Sequence, residues 1–127
     1  MKLSNERLAN ILSVYNNAIA SVHFKSVKTI LFVKQQKAKI IECLKPFEEA
    51  KTDVVNRFGS NGVLETEKLS KENAVEFFRM WDELHASEVE IDFGNKILLS
   101  ELKLAGKIPS ALELEVLEPL IEIDIEE

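Results

Sequence analysis

Apolar positions recur along this chain with two periods, one helical over most of its length and one alternating near residue 90. Leu8, Ile11, Leu12, Tyr15 and Ile19 fall at helical spacing, Ser4 is placed to cap them, and Asn17 lies on the polar side. They predict a first helix. After a short connection through Ser21, Val22 and His23, a much longer second helix is expected from about Ser26 to Phe58, with Gly59 ending it in a left-handed conformation. Its C-terminal half carries Ile40, Cys43, Leu44, Phe47, Ala50, Val54 and Phe58, which fall within about 120° of one another at 100° per residue. Its N-terminal half differs. Val27, Ile30, Leu31, Phe32 and Val33 point nearly all round, so this part is either buried on several sides or partly extended. The pattern changes across Gln35-Gln36-Lys37, where a kink, a change of packing partner or two separate helices would each explain it. Pro46 is expected to bend the helix unless it opens a new one.

Residues Gly59 to Leu69 read as a linker with Ser60-Asn61-Gly62 as its turn. Ser70 then caps a third helix carrying Ala74, Phe77, Phe78, Trp81 and Leu84. The alternating stretch follows. Val89, Ile91 and Phe93 interleave with Glu88, Glu90 and Asp92, and Gly94-Asn95 separates them from Lys96-Ile97-Leu98-Leu99. That spacing predicts a tight β-hairpin. Ser100 and Gly106 bracket one helical turn, and Ser110-Ala111-Leu112-Glu113 forms a capping box before a last helix with Leu112, Val116, Leu117 and Leu120. Beyond Pro119, Ile121, Ile123 and Ile125 alternate with Glu122, Asp124 and Glu126; this tail is either a third strand or a frayed acidic end. The expected fold is α+β and mainly helical: a long-helix hairpin with a third helix packed on a small antiparallel β-hairpin.

The 127 residues fit one domain with a modest core. Charge divides it into a basic helical part, 1–58, and an acidic part, 59–127. From Met1 to Lys51 nine Lys/Arg stand against four Asp/Glu; from Thr52 to Glu127 seven stand against eighteen. No acidic residue lies between Glu6 and Glu42, and no Lys or Arg follows Lys107. Such a division bears on association more than on fold. The opening residues turn polar too early for a secretory signal, and no apolar run approaches the roughly 20 residues of a membrane span. A cytoplasmic, non-membrane protein is expected. The single Cys43 has no partner for an internal disulfide.

Candidate chemistry is sparse. His23 and His85 are isolated, neither has a second His or a Cys at metal spacing, and Cys43 lies on the apolar stripe where a small buried thiol is ordinary. The calcium-loop pattern and glycine-rich phosphate loops are missing, so no catalytic residue, metal or cofactor is expected. Binding is the better expectation. Lys25, Lys28, Lys34, Lys37, Lys39 and Lys45 suggest a nucleic-acid surface, but they scatter around the helix axis and Arg is absent from the segment. Partner-binding candidates are Lys25, Lys28, Lys34, Lys37 and Leu31 on the basic side, and Glu88, Glu90 and Asp92 on the face of one strand. The surplus of apolar faces in Val27–Val33 points either to a homodimer sharing that segment, in which the basic part of one subunit also meets the acidic part of the other, or to a monomer whose third and fourth helices cover it.

Lys45-Pro46-Phe47-Glu48-Glu49-Ala50 running to Arg57-Phe58-Gly59, Glu88-Val89-Glu90-Ile91-Asp92, and Leu114-Glu115-Val116-Leu117-Glu118-Pro119-Leu120 together resemble a group of short proteins of unknown function encoded in tailed phages and prophages. The resemblance runs from near Leu3 to Ile121 and leaves the acidic tail outside. It implies a phage or prophage setting and brings no catalytic residues. The functional expectation is therefore a non-enzymatic protein–protein interaction module, a phage accessory, assembly or host-modulating factor. The alternative is a nucleic-acid-binding protein using the Lys25–Lys45 segment.

Overall fold

Serine side chains open four of the helices. Ser4 accepts from the Arg7 N–H at 3.1 Å and starts α1 (Asn5–Tyr15); Ser26 accepts from Thr29 and starts α2 (Val27–Phe58). Ser70 accepts from Asn73 and starts α3 (Lys71–Ala86), and Ser110 forms the reciprocal box with Glu113 that starts α5 (Ala111–Val116). Each satisfies an amide that the first turn leaves without a partner. The structure is a computed structural model describing residues 1–59 and 62–125, 64% of it helical. Ser60-Asn61 of the expected turn, and Glu126 of the tail, lie outside the described residues. The mainly helical α+β class holds, with five α-helices and a small two-stranded antiparallel sheet among the described residues.

α1 continues into one wide π-helical turn, Asn16–Ala20, which puts the consecutive Ala18 and Ile19 on the buried side. α2 is one unbroken helix of 32 residues, about 48 Å long at 1.5 Å per residue. Of the three explanations for Gln35–Lys37, the change of packing partner is the one observed. The N-terminal half packs on α1, and the C-terminal half packs on α3 through Phe47 against His85 and Phe58 against Phe77. Helix assignment continues through Pro46 without a new start. Proline has no N–H to offer the Glu42 carbonyl, but both residues lie on the exposed side, where water takes its place. Val27–Val33 is helical, neither extended nor buried on several sides: Val27, Ile30 and Leu31 are exposed. Gly59 ends α2 in an extended conformation (φ −126°), not the left-handed one expected. Close approach is what requires glycine there, since a Cβ would collide with the Val63 carbonyl.

Strand pairing departs from the alternation-based expectation. Gly94-Asn95 does not join a hairpin. β1 (Lys2–Ser4) pairs antiparallel with β2 (Glu88–Glu90), in the register Lys2↔Glu90, Leu3↔Val89 and Ser4↔Glu88. β3 (Ile97–Leu98) pairs instead with β4 (Ile121–Glu122), and in parallel. The physical reason lies in Asp92, whose Oδ1 accepts from the Gly94 N–H at 2.9 Å and turns the chain locally, while the Ile91 N–H donates to the Met1 carbonyl. β2 takes β1 on one edge, and β3 pairs with β4 instead of with β2.

α4 (Leu99–Leu104) begins one residue before the expected Ser100 and closes at Gly106 (φ +85°). There the Lys107 N–H reaches the Leu102 carbonyl and the Gly106 N–H that of Lys103, a Schellman stop. Of the two readings of the tail, the strand is observed through Glu122, and Asp124 then serves α4. Its Oδ1 accepts from the Ser100 N–H at 2.9 Å and its Oδ2 from the Ser100 hydroxyl. These bonds hold the Asp124 carboxyl below its ordinary range. A depressed folded value means stability that is present above the unfolded carboxylate range and lost as pH falls through the folded value. Asp124→Asn is therefore expected to lower the melting temperature at pH 7 and to change it little at pH 2. A loss of equal size at both would show that the charge is irrelevant.

One buried cluster joins these elements: Leu3, Leu8, Ile11, Tyr15 and Ile19 meet Val33, Ile40, Leu44 and Phe47 from α2, with Ile97, Leu99, Leu102, Leu117 and Leu120 from the C-terminal part. Leu112, expected on the core face of the last helix, is instead 70% exposed. Through the cluster runs a polar chain. The Tyr15 hydroxyl lies 3.0 Å from the Val33 carbonyl and 2.9 Å from Gln36 Oε1, and Gln36 Nε2 donates to the Asn95 carbonyl at 2.7 Å. Burial pushes the Tyr15 phenol above its ordinary value. The unfolded chain ionises first, so stability is retained below about pH 10 and lost as pH rises further. Since Tyr15 is the one tyrosine, absorbance at 295 nm follows it alone. Phenolate is expected to appear together with unfolding; a reversible titration near pH 10 in the folded protein would contradict the burial.

Candidate docking face

α2 sets two opposed faces along its N-terminal half. Thr29, Val33, Gln36 and Ile40 are buried at spacings of four, three and four residues, on the side toward α1. Opposite them stand Val27, Ile30, Leu31, Lys34, Ala38 and Ile41, which fall within about 100° of one another. All six are exposed, Val27 at 72% and Leu31 at 54%. Three apolar side chains at the start of the helix, with a fourth three turns on, share this exposed face. α3 leaves it uncovered because its aromatic residues pack on residues 47–58 of α2. The surplus of apolar faces read from the sequence is thus real and faces outward.

The lysines frame this stripe. Lys34 interrupts it, Lys28 and Lys37 flank it on either side, and the Lys28 ammonium sits 5.6 Å from the Phe32 ring centre. Lys25 is exposed just before the Ser26 cap. Beside Ile30 and Lys34, the 20–24 connection leaves a cleft of about 400 Å³ lined by Ser21, Val22, His23, Phe24, Val33 and Lys37. Its walls are polar and apolar in about equal measure, and Lys34 and Lys37 supply its charge. Ala38 and Ile41 are the members of this face that sequence reasoning missed, although Val27, Leu31, Lys34, Ala38 and Ile41 repeat at intervals of four, three, four and three.

No family model, curated protein or solved structure matches this chain at a significant level. Its own geometry therefore carries the functional reading.

The acidic candidates are not gathered into one strip. Glu88 and Glu90 are exposed on β2, and Glu90 lies across from Lys2 and accepts from the Met1 amino group at 2.8 Å. Asp92 falls beyond the strand and caps the turn at Gly94. Glu90 and Asp92 thus already have local partners. His85 is likewise engaged: its Nδ1 lies 2.8 Å from the Trp81 carbonyl and its ring stands edge-on to Phe47 at 5.1 Å. Cys43 is half-buried against the core, as its stripe position predicts. Among the described residues, no group of three or more His, Cys, Asp or Glu could hold a metal ion, and no helix is long and apolar enough to cross a membrane.

Proposed function

We propose that this chain is a non-enzymatic protein-interaction module whose docking surface is the outward face of α2. Its setting, on the resemblance to short tailed-phage proteins, is that of a phage or prophage accessory, assembly or host-modulating factor in the host cytoplasm. The observation that carries the reading is the exposed stripe of Val27, Ile30, Leu31 and Ile41 set among lysines. Apolar contact area supplies affinity, while the surrounding lysines select an acidic partner segment and speed the encounter. Nucleic acid is the weaker fit, because the middle of this face is hydrocarbon and the lysines diverge to either side of it.

The test compares baits in host-cell lysate: the wild type, Leu31→Asp, and Val75→Asp at an exposed apolar position of α3. A protein retained by the wild type and by Val75→Asp but lost with Leu31→Asp is the expected result. Capture indifferent to Leu31 would remove the face from the function. Tight DNA or RNA binding at about 150 mM salt, weakening steeply as salt rises, would replace the reading with the nucleic-acid one.

A further inference from the structure

The α2 face is not the only exposed apolar ground. Leu104, Ile108 and Leu112 are all exposed, Ile108 at 78% and Leu112 at 70%, around the turn that joins α4 to α5. The Schellman stop at Gly106 and the box at Ser110 hold this corner from both sides, and Lys107 is drawn to Glu113 at 3.5 Å. Leu112 and Glu115 share the outward side of α5 one turn apart, and Glu118 follows just beyond the helix. The corner is thus apolar with acid along its C-terminal flank, although Lys103 stands beside Leu104. The α2 face is apolar with lysines along it. Resting on the docking reading above, we infer that the occupant of the α2 face is the α4–α5 corner of a second copy of this chain.

Charge decides the geometry. A two-fold dimer centred on Leu31 and Lys34 would set lysine against lysine, because no acidic residue lies between Glu6 and Glu42 to meet them. Pairing the α2 face of one copy with the α5 corner of the next brings Lys28 and Lys34 toward Glu115 and Glu118. Such a contact joins different patches, so a joined pair keeps one free face of each kind and the assembly grows by addition or closes as a ring. Three or four apolar side chains from each copy make a small interface. Association in the range of about 10–100 µM is expected of it.

Sedimentation velocity on the full chain tests this with two surface variants, Leu31→Asp and Leu112→Lys. The wild type is expected to gain mass with concentration past twice its 14.4 kDa. Each variant alone is expected to stay monomeric, because one of its two faces is disabled. Mixed in equal amounts they are expected to form a 1:1 dimer that grows no further, joining the intact corner of one to the intact α2 face of the other. Circular dichroism confirms that each is folded, and Val27→Glu and Ile108→Lys repeat the test should either fail to fold. A mixture that stays monomeric overturns the inference, as does a wild-type dimer that Leu112→Lys leaves intact. A wild-type monomer up to 1 mM also overturns it, while the Leu31-dependent capture described above judges the docking reading separately.

Discussion

Gln36→Glu is expected to lose about 4 kcal/mol of folding stability at pH 7, because it sets a buried carboxylate with no cation beside it against backbone carbonyl oxygens. The wild-type side chain is 1% exposed and occupied at both ends. Its carbonyl oxygen faces the Tyr15 hydroxyl, and its amide nitrogen donates to the Asn95 carbonyl and lies 3.4 Å from that of Leu120. Glutamate keeps the shape but replaces the donor with an anion facing two carbonyl oxygens. Burial favours the protonated acid, so the penalty shrinks as pH falls toward 4, where the acid regains a donor. Gln36→Met removes the donor without adding charge. About 2 kcal/mol is expected for it, chiefly from the Asn95 carbonyl, since that of Leu120 still accepts from Ile97. Urea unfolding of both variants at pH 7 and pH 4 checks the order. A Gln36→Glu protein within 1 kcal/mol of wild type at pH 7 would mean that water reaches this site.

Phe77→Ala is expected to cost about 3 kcal/mol, within the range of buried aromatic truncations. Phe77 lies outside the main buried cluster. It packs with its ring centre 5.7 Å from Phe58, 5.5 Å from Trp81 and 5.2 Å from Phe78. These residues form a satellite core that fastens the first part of α3 to the end of α2. Truncation is expected to loosen that end while Leu84 and His85 keep the other end of α3 in place. The single Trp81 reports the change as a red-shifted emission, and hydrogen exchange is expected to quicken in residues 71–80 more than in α1. Uniform acceleration along the chain would show that the satellite and the main core unfold together.

Local chemistry explains why the helices were legible in the sequence and the strand pairings were not. Ser4, Ser26, Ser70 and Ser110 each act on an amide three residues away, so the signal and its effect lie in one short window. β1 is three residues long and finds its partner at residues 88–90, and a run such as Lys2-Leu3-Ser4 carries no trace of that distant edge. Gly94-Asn95 did carry a turn signal, and a turn forms there. The strands on either side of it pair elsewhere, β2 with β1 and β3 with β4, which no local pattern records. The docking face was half legible: Leu31 and the lysines stood out, whereas Ile41 was hidden because the segment was divided at Gln35–Lys37, where the helix does not divide. Leu112 misled because helical spacing shows that a side chain can face a core, not that a core lies opposite.

The β1–β2 pairing sets an order on how the chain assembles. α1 can find α2, and α2 can find α3, across connections of a few to a dozen residues. Leu3 can meet Val89 only after everything between them has been brought into place. Closing so long a loop early is costly in chain entropy, so this pair of strands completes the native state late. Three residues on each side give it little to hold with once formed. The amides of β1 and β2 should therefore be among the first ordered ones to open, which makes this seam, and not the ends of α2, the place where a protease would find its first entry.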